Sequence, residues 1–238
     1  MRIGVLSLAI GDKFREDVKY GIRSKVEYCK RHGYDFIQDD FKTDHTRHLA
    51  WSKIPAILEY LPKYDYLVWI DADTLIMNPE KKLEDFISKL MLDNQLMYVA
   101  SLNWVNTGVM FIKNTQFMKA FMAQSWHHTD QICWEQGAID LLYRTNWLGC
   151  QKVIKVVQDQ TEFNSLWHQF RWGQFLVHFP GCGEKGRPEN CLKRMMDMFC
   201  TLKMDEESWE TYLKRIETLR TVDFSQEYAK NWKYFPLD

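Results

Sequence analysis

Apolar positions along this chain fall in short runs that alternate with stripes of helical spacing. Residues 3–10 form an apolar run closed by Gly11-Asp12, which predicts a first strand. From Lys13 to His32, Val18, Ile22, Val26 and Cys29 recur at helical intervals, and Gly33 stands where a C-cap belongs. Tyr34 to Gln38 reads as a short second strand. A second helix is expected from Leu49 to Leu61, with Trp51, Ile54, Ile57, Leu58 and Leu61 buried and Pro55 tolerated in its first turn. Tyr66-Leu-Val-Trp-Ile70 is a third strand, and it runs straight into Asp71-Ala-Asp73. Strands alternating with helices imply a largely parallel sheet, which binds ligands beyond the carboxyl ends of its strands.

The pattern continues less regularly. Lys81–Leu92 reads as a helix, Tyr98–Ser101 and Asn106–Lys113 as strands, and Thr115–Ser125 and Asp130–Arg144 as two more helices. Val153–Val157 is β-prone, and Phe175-Leu-Val-His178-Phe-Pro-Gly181 is an apolar strand ending in a turn. Beyond Asn190 the chain reads as amphipathic helix. With no repeat and no linker, the expected organisation is one domain over 1–204, with a helical extension over 205–238 docked on it.

Composition narrows the function. Hydrophobic residues make up 46% and charged residues 26%, an ordinary globular balance that excludes a disordered chain. A formal net charge of -1 gives no field to recruit nucleic acid or an anionic membrane. No segment is apolar for long enough to span a bilayer and no cleavable leader is evident, so a soluble, cytoplasmic protein is expected. The six cysteines show no zinc-like grouping and are expected as free thiols; Cys182 and Cys191 are the pair to test if the protein is secreted.

The chemistry gathers around Asp71 and Asp73. Alternation along an extended strand would point both carboxylates the same way, and like charges at the end of a buried strand call for a cation between them. Carboxylate oxygens suit Mg²⁺ or Mn²⁺. His178, at the end of a later apolar run, completes a possible three-ligand site, and Lys185 shortly after suits a phosphate. Glu135 and Gln136, at a helix start, can act as nucleophile or charge stabiliser and as hydroxyl positioner; Glu135 can equally be a plain partner of the helix dipole. Asn106-Thr107-Gly108 is a polar corner able to hold sugar hydroxyls, or simply a turn.

Trp51-Ser-Lys53-Ile-Pro55, then Tyr64 to Pro79, Asn106 to Asn114, Trp134-Glu-Gln-Gly-Ala138 and Val177 to Cys182 together resemble successive motifs of glycosyltransferase family 34. The resemblance implies an α/β GT-A fold, Rossmann-like, with a mixed but mostly parallel central sheet. It implies a retaining, Mn²⁺-dependent transfer of a hexose, deoxyhexose or pentose from a nucleotide sugar, UDP favoured, to a hydroxyl of an oligosaccharide or glycoprotein. On this likeness Asp71 and Asp73 match the metal and diphosphate pair, His178 the late metal ligand and Lys185 the diphosphate lysine. Gln136 matches the glutamine beside the reacting sugar, Glu135 the acidic residue before it, and Lys53 and Asn106 lie near the donor. Trp104, Trp134, Trp167 and Trp172 are candidates for stacking on the acceptor. Two departures stand out: Glu135 occupies a position where plant members carry Asp, and the anchor and stem of Golgi members are missing from this sequence. Short members of this kind resemble those of large algal viruses. The rival readings are a phosphohydrolase of the haloacid dehalogenase type, which also ends a strand in Asp-x-Asp, and a GT-A domain that binds nucleotide sugar or glycan without turnover.

Overall fold

The computed structural model describes residues 1–38, 46–92, 94–102, 104–128, 133–167, 169–171 and 173–181. Lys185, Trp172, the Cys182–Cys191 pair and the expected extension over 205–238 lie outside them.

Strand β1 (Ile3–Leu6) leads into α1 (Asp12–Asp17) and α2 (Lys19–His32), then β2 (Asp35–Ile37). A 3₁₀ turn precedes α3 (Lys53–Tyr60), which feeds β3 (Tyr66–Ile70). After the aspartate turn come β4 (Thr74–Ile76), α4 (Leu83–Leu92), β5 (Met97–Leu102), β6 (Trp104–Lys113), α5 (Gln116–Trp126) and α6 (Trp134–Arg144). The described chain closes with β7 (Ile154–Val157), β8 (Ser165–Leu166) and β9 (Leu176–His178). No helix among the described residues is long and apolar enough to cross a membrane.

Among the described residues, the main sheet has six strands in the order β2-β1-β3-β6-β5-β7. β1 pairs parallel with β2 and β3, and β5 with β7, whereas β6 runs antiparallel to both β3 and β5. All five residues of β3 are buried, because both faces of the sheet are covered. Leu67 and Trp69 pack on one side with Ile54, Phe121 and Ile139 from α3, α5 and α6; Tyr66, Val68 and Ile70 pack on the other with Tyr28, Phe86 and Phe175. At roughly 1.5–3 kcal/mol for each large apolar side chain removed from water, this two-sided burial fixes the register of β3 and hence the position of the aspartate turn at its end. A second, small sheet of order β4-β9-β8 sits beyond that strand end.

Two sequence expectations change. The long N-terminal helix breaks at Val18, and the buried face of α2 carries Tyr20, Ser24, Lys25, Tyr28 and Cys29, with Val26 exposed. Its end is as expected, with Gly33 in the left-handed region at φ 73. The second change concerns Asp71 and Asp73: β3 stops at Ile70, and the two carboxylates belong to the turn between β3 and β4 rather than to an extended strand. Pro55 does occupy the first turn of α3. Among the described residues, Cys29, Cys133 and Cys150 form no disulfide.

Candidate active site

The β3–β4 turn is tied down on every side. Asp71 N–H donates to the Gly108 carbonyl at 2.8 Å, continuing the β3–β6 ladder by one bond. Phe179 N–H donates to the Asp73 carbonyl at 3.0 Å, and Thr74 pairs with His178 across β4 and β9. From below, the Lys25 ammonium donates to the carbonyls of Thr74 at 2.9 Å, Gly21 at 3.0 Å and Ala72 at 3.4 Å. Beside it, the Ser24 hydroxyl donates to the Gly21 carbonyl and accepts from Ile76 N–H. Lys25 is wholly buried: burial pulls its pKa down to about 7, while the charges of Asp73 and Asp71 work to raise it.

These ties bring Asp71, Asp73 and His178 together, with one ligand atom from each within 4.8 Å of the others. His178 Nε2 lies 3.4 Å from Asp73 Oδ1 and 3.9 Å from Asp71 Oδ2. The other oxygen of Asp71 is already engaged, by Trp69 Nε1–H at 2.6 Å and by the Lys53 ammonium at 3.1 Å. Two carboxylates and an imidazole nitrogen are a donor set that Mn²⁺ or Mg²⁺ fits, so the residues present suit the expected metal.

Lys53 extends the network to α6. Its ammonium is 2.7 Å from Glu135 Oε1 and donates to the hydroxyl and carbonyl of Thr107 at 3.1 and 3.3 Å. Burial works to lower the Lys53 pKa, but the charges of Asp71 and Glu135 and its hydrogen bonds to both raise it, so it stays an ammonium. Thr107 completes the junction: its N–H donates to Gln136 Oε1 at 3.2 Å, and its hydroxyl to Glu135 Oε1 at 3.4 Å. Glu135 Oε2 is buried with no hydrogen-bond partner among the described residues. Helix α6 is held against β6 by Asp140, which accepts from Val105 N–H. The helix begins under strain, because Cys133 and Trp134 both have positive φ, 64 and 53.

A cleft of about 640 Å³ opens over this cluster. Lys53, Asp71, Asp73, Glu135, Gln136 and His178 give it polar lining, and Leu8, Ile10 and Phe14 apolar lining. Trp134 lines it too, stacked on His48 with ring centroids 4.0 Å apart. Trp167 is buried, and the side chain of Trp104 is outside the described set. Asn106 lines the cleft, but its side-chain oxygen turns inward, accepting from Gly108 N–H and from Asn164.

Sequence reasoning missed Lys25, Asn164 and the indole of Trp69. For Lys25 there was a faint signal, a lysine spaced between Gly21 and Cys29 on an otherwise packed face. Asn164 gave none.

Residues 14–99 match the sequence profile of the galactosyl transferase GMA12/MNN10 family. That is glycosyltransferase family 34, the family its motifs resemble. The probable alpha-1,6-mannosyltransferase MNN10 of Saccharomyces cerevisiae is 26% identical over 168 residues, covering 53% of this chain and 43% of that protein. Xyloglucan 6-xylosyltransferase 1 of Arabidopsis thaliana is 26% identical over 106 residues, 40% of this chain and 23% of that one. The chain thus spans less than half the length of these curated relatives. Among solved structures, a glycosyltransferase involved in the glycosylation of the major capsid of PBCV-1 superposes with a TM-score of 0.65 at 19% identity, over 82% of this chain and 99% of that one. GlyE of Streptococcus pneumoniae TIGR4 does so with a TM-score of 0.52 at 12% identity, over 91% and 63%. The fold is GT-A, as the motifs implied, and not that of a haloacid dehalogenase.

Proposed function

We propose that this chain is a retaining, metal-dependent glycosyltransferase. It moves a hexose, deoxyhexose or pentose from a nucleotide sugar, UDP favoured, to a hydroxyl of an oligosaccharide or glycoprotein. The observation that carries the reading is the convergence of Asp71, Asp73 and His178 in a cleft that Glu135 and Gln136 also line. Mn²⁺ or Mg²⁺ held there would supply positive charge where a departing nucleoside diphosphate gathers negative charge.

The residues of the chain divide the remaining work. Lys53 and the Trp69 indole occupy one oxygen of Asp71 and leave Oδ2 facing His178 and Asp73. Lys25 fixes the turn that carries both aspartates. The side-chain oxygen of Gln136 is engaged by Thr107 N–H, so its amide NH₂ is the group it can offer a sugar hydroxyl. Glu135 is bound to Lys53 through Oε1 and is only 3% exposed, so attack on an anomeric carbon would need its side chain to leave a buried position. This favours a transfer in which the acceptor attacks from the leaving-group face, its proton passing to a diphosphate oxygen, over a covalent glycosyl-Glu135. The apolar side chains of Leu8, Ile10 and Phe14 in the same cleft suit a nucleobase.

Calorimetric titration of UDP and GDP, with Mn²⁺ and with EDTA, tests the reading on wild type and on Asp73→Ala. UDP binding that needs the metal and is lost in Asp73→Ala is the expected result. No binding of either nucleotide under any condition would remove the proposal. Donor binding without turnover or hydrolysis would make the chain a nucleotide-sugar-binding module.

A further inference from the structure

Behind the metal-ligand cluster lies a chain of hydrogen bonds whose direction is fixed at one end. Gly108 N–H is a backbone group and can only donate; its acceptor, 2.9 Å away, is the side chain of Asn106, which must therefore present oxygen. The same oxygen receives the side chain of Asn164 at 3.0 Å, so Asn164 presents its NH₂ on that side. Its remaining atom, the carbonyl oxygen, lies 2.9 Å from His178 Nδ1. An oxygen there accepts, and Nδ1 must carry the proton. In the neutral ring, Nε2 is then bare and faces Asp73 and Asp71. All three side chains are buried, with Asn164 fully so, and water does not compete for these bonds.

We infer that Asn164 is a positioning residue: through the relay Gly108–Asn106–Asn164 it holds His178 as the Nδ1–H tautomer, presenting Nε2 as a ligand. The relay deepens the proposed function and rests on it for the metal alone. Room for the ring comes from the same segment, because a Cβ on residue 108 would fall 2.2 Å from His178 Cε1. Gly108 thus serves twice, as the donor that starts the relay and as the space the imidazole occupies. Such outer-shell hydrogen bonds fix the orientation of a histidine ligand and raise its basicity.

The test is nitrogen-15 NMR of histidine-labelled, metal-free protein at about pH 9, where imidazole is neutral. His178 is assigned by its loss in His178→Gln. Expected is a protonated Nδ1 and an unprotonated Nε2; the reverse would overturn the relay. Asn164→Ala should lose the tautomer preference, and its Mn²⁺ affinity, read by electron paramagnetic resonance, should fall by about 10- to 100-fold. Asn164→Asp keeps an acceptor toward Nδ1 while losing the donor to Asn106, and a retained tautomer there would show that the oxygen facing Nδ1 is what selects it. If folded Asn164→Ala keeps the Nδ1–H tautomer, or binds Mn²⁺ as wild type does, Asn164 does not position the ring. Should Asn164→Ala fail to fold, the wild-type spectrum decides. Wild-type protein that shows the Nδ1–H tautomer but takes up no Mn²⁺ would count against the proposed metal site and not against the relay.

Discussion

The ammonium of Lys53 lies 2.7 Å from Oε1 of Glu135, with both side chains buried. Removing one partner of such a pair strands the other charge. Lys53→Met should therefore cost about 3–5 kcal/mol in urea unfolding. Glu135→Gln keeps the shape and a hydrogen-bond acceptor, and should cost less and retain substantial turnover. A Glu135→Gln enzyme that is folded but without activity would restore the covalent route.

Asp71 and Asp73 repel one another until a cation joins them, so metal should stabilise the native state. At a Mn²⁺ concentration of a hundred times its dissociation constant, the gain is about 2.7 kcal/mol. Differential scanning calorimetry should show a raised Tm for wild type and no increment for Asp73→Ala. An equal increment in both would place the metal elsewhere.

Gly108→Ala tests the packing under His178. The new methyl would meet the imidazole at Cε1 and at Nδ1, 2.2 and 2.7 Å away. Overpacking of this kind costs about 1–3 kcal/mol, and here the ring has to move. Circular dichroism should report a retained fold while Mn²⁺ affinity falls by more than the stability loss accounts for. Unchanged affinity would mean that the ring and the turn yield without consequence.

Lys25 makes stability depend on pH in a defined direction. Its pKa falls to about 7 in the fold, whereas an exposed lysine titrates near 10.4. Between those values the unfolded chain holds a proton that the folded one has released, so unfolding becomes harder as pH rises. Below about 7 both states are protonated and the cost of burying the ammonium is fully felt. Metal-free wild type should gain stability relative to Lys25→Met from about pH 7 to 10; a difference independent of pH would contradict the lowered pKa.

The elements that announced themselves in the sequence were those whose apolar pattern alone decides their place. Tyr66–Ile70 reads as a buried strand because no other arrangement shelters five such residues, and Gly33 ends α2 because the backbone there needs positive φ. His178 was found because an apolar run stops on it. Lys25 was not, because periodicity assigns lysine to the solvent side, and the carbonyls that bury it come from a turn 47 and 49 positions away. Val26 was drawn into the stripe for the same reason. Asp71 and Asp73 do converge, but through the fastening of a turn rather than strand alternation. Asn164 shows why outer-shell residues stay hidden: its role is a matter of hydrogen-bond direction between distant segments, which no local pattern encodes.

The small sheet has a consequence for how the protein is made. β4 carries its pairing with β9, so Asp73 and His178 meet only after the last described strand has returned to the first half of the chain. Closing so long an intervening segment costs entropy before any contact repays it. A chain emerging from the ribosome therefore carries the two aspartates well before the histidine that joins them. Under the proposed function, tight capture of a divalent ion then waits on that pairing, and stray metal has little hold on a chain that has yet to make it.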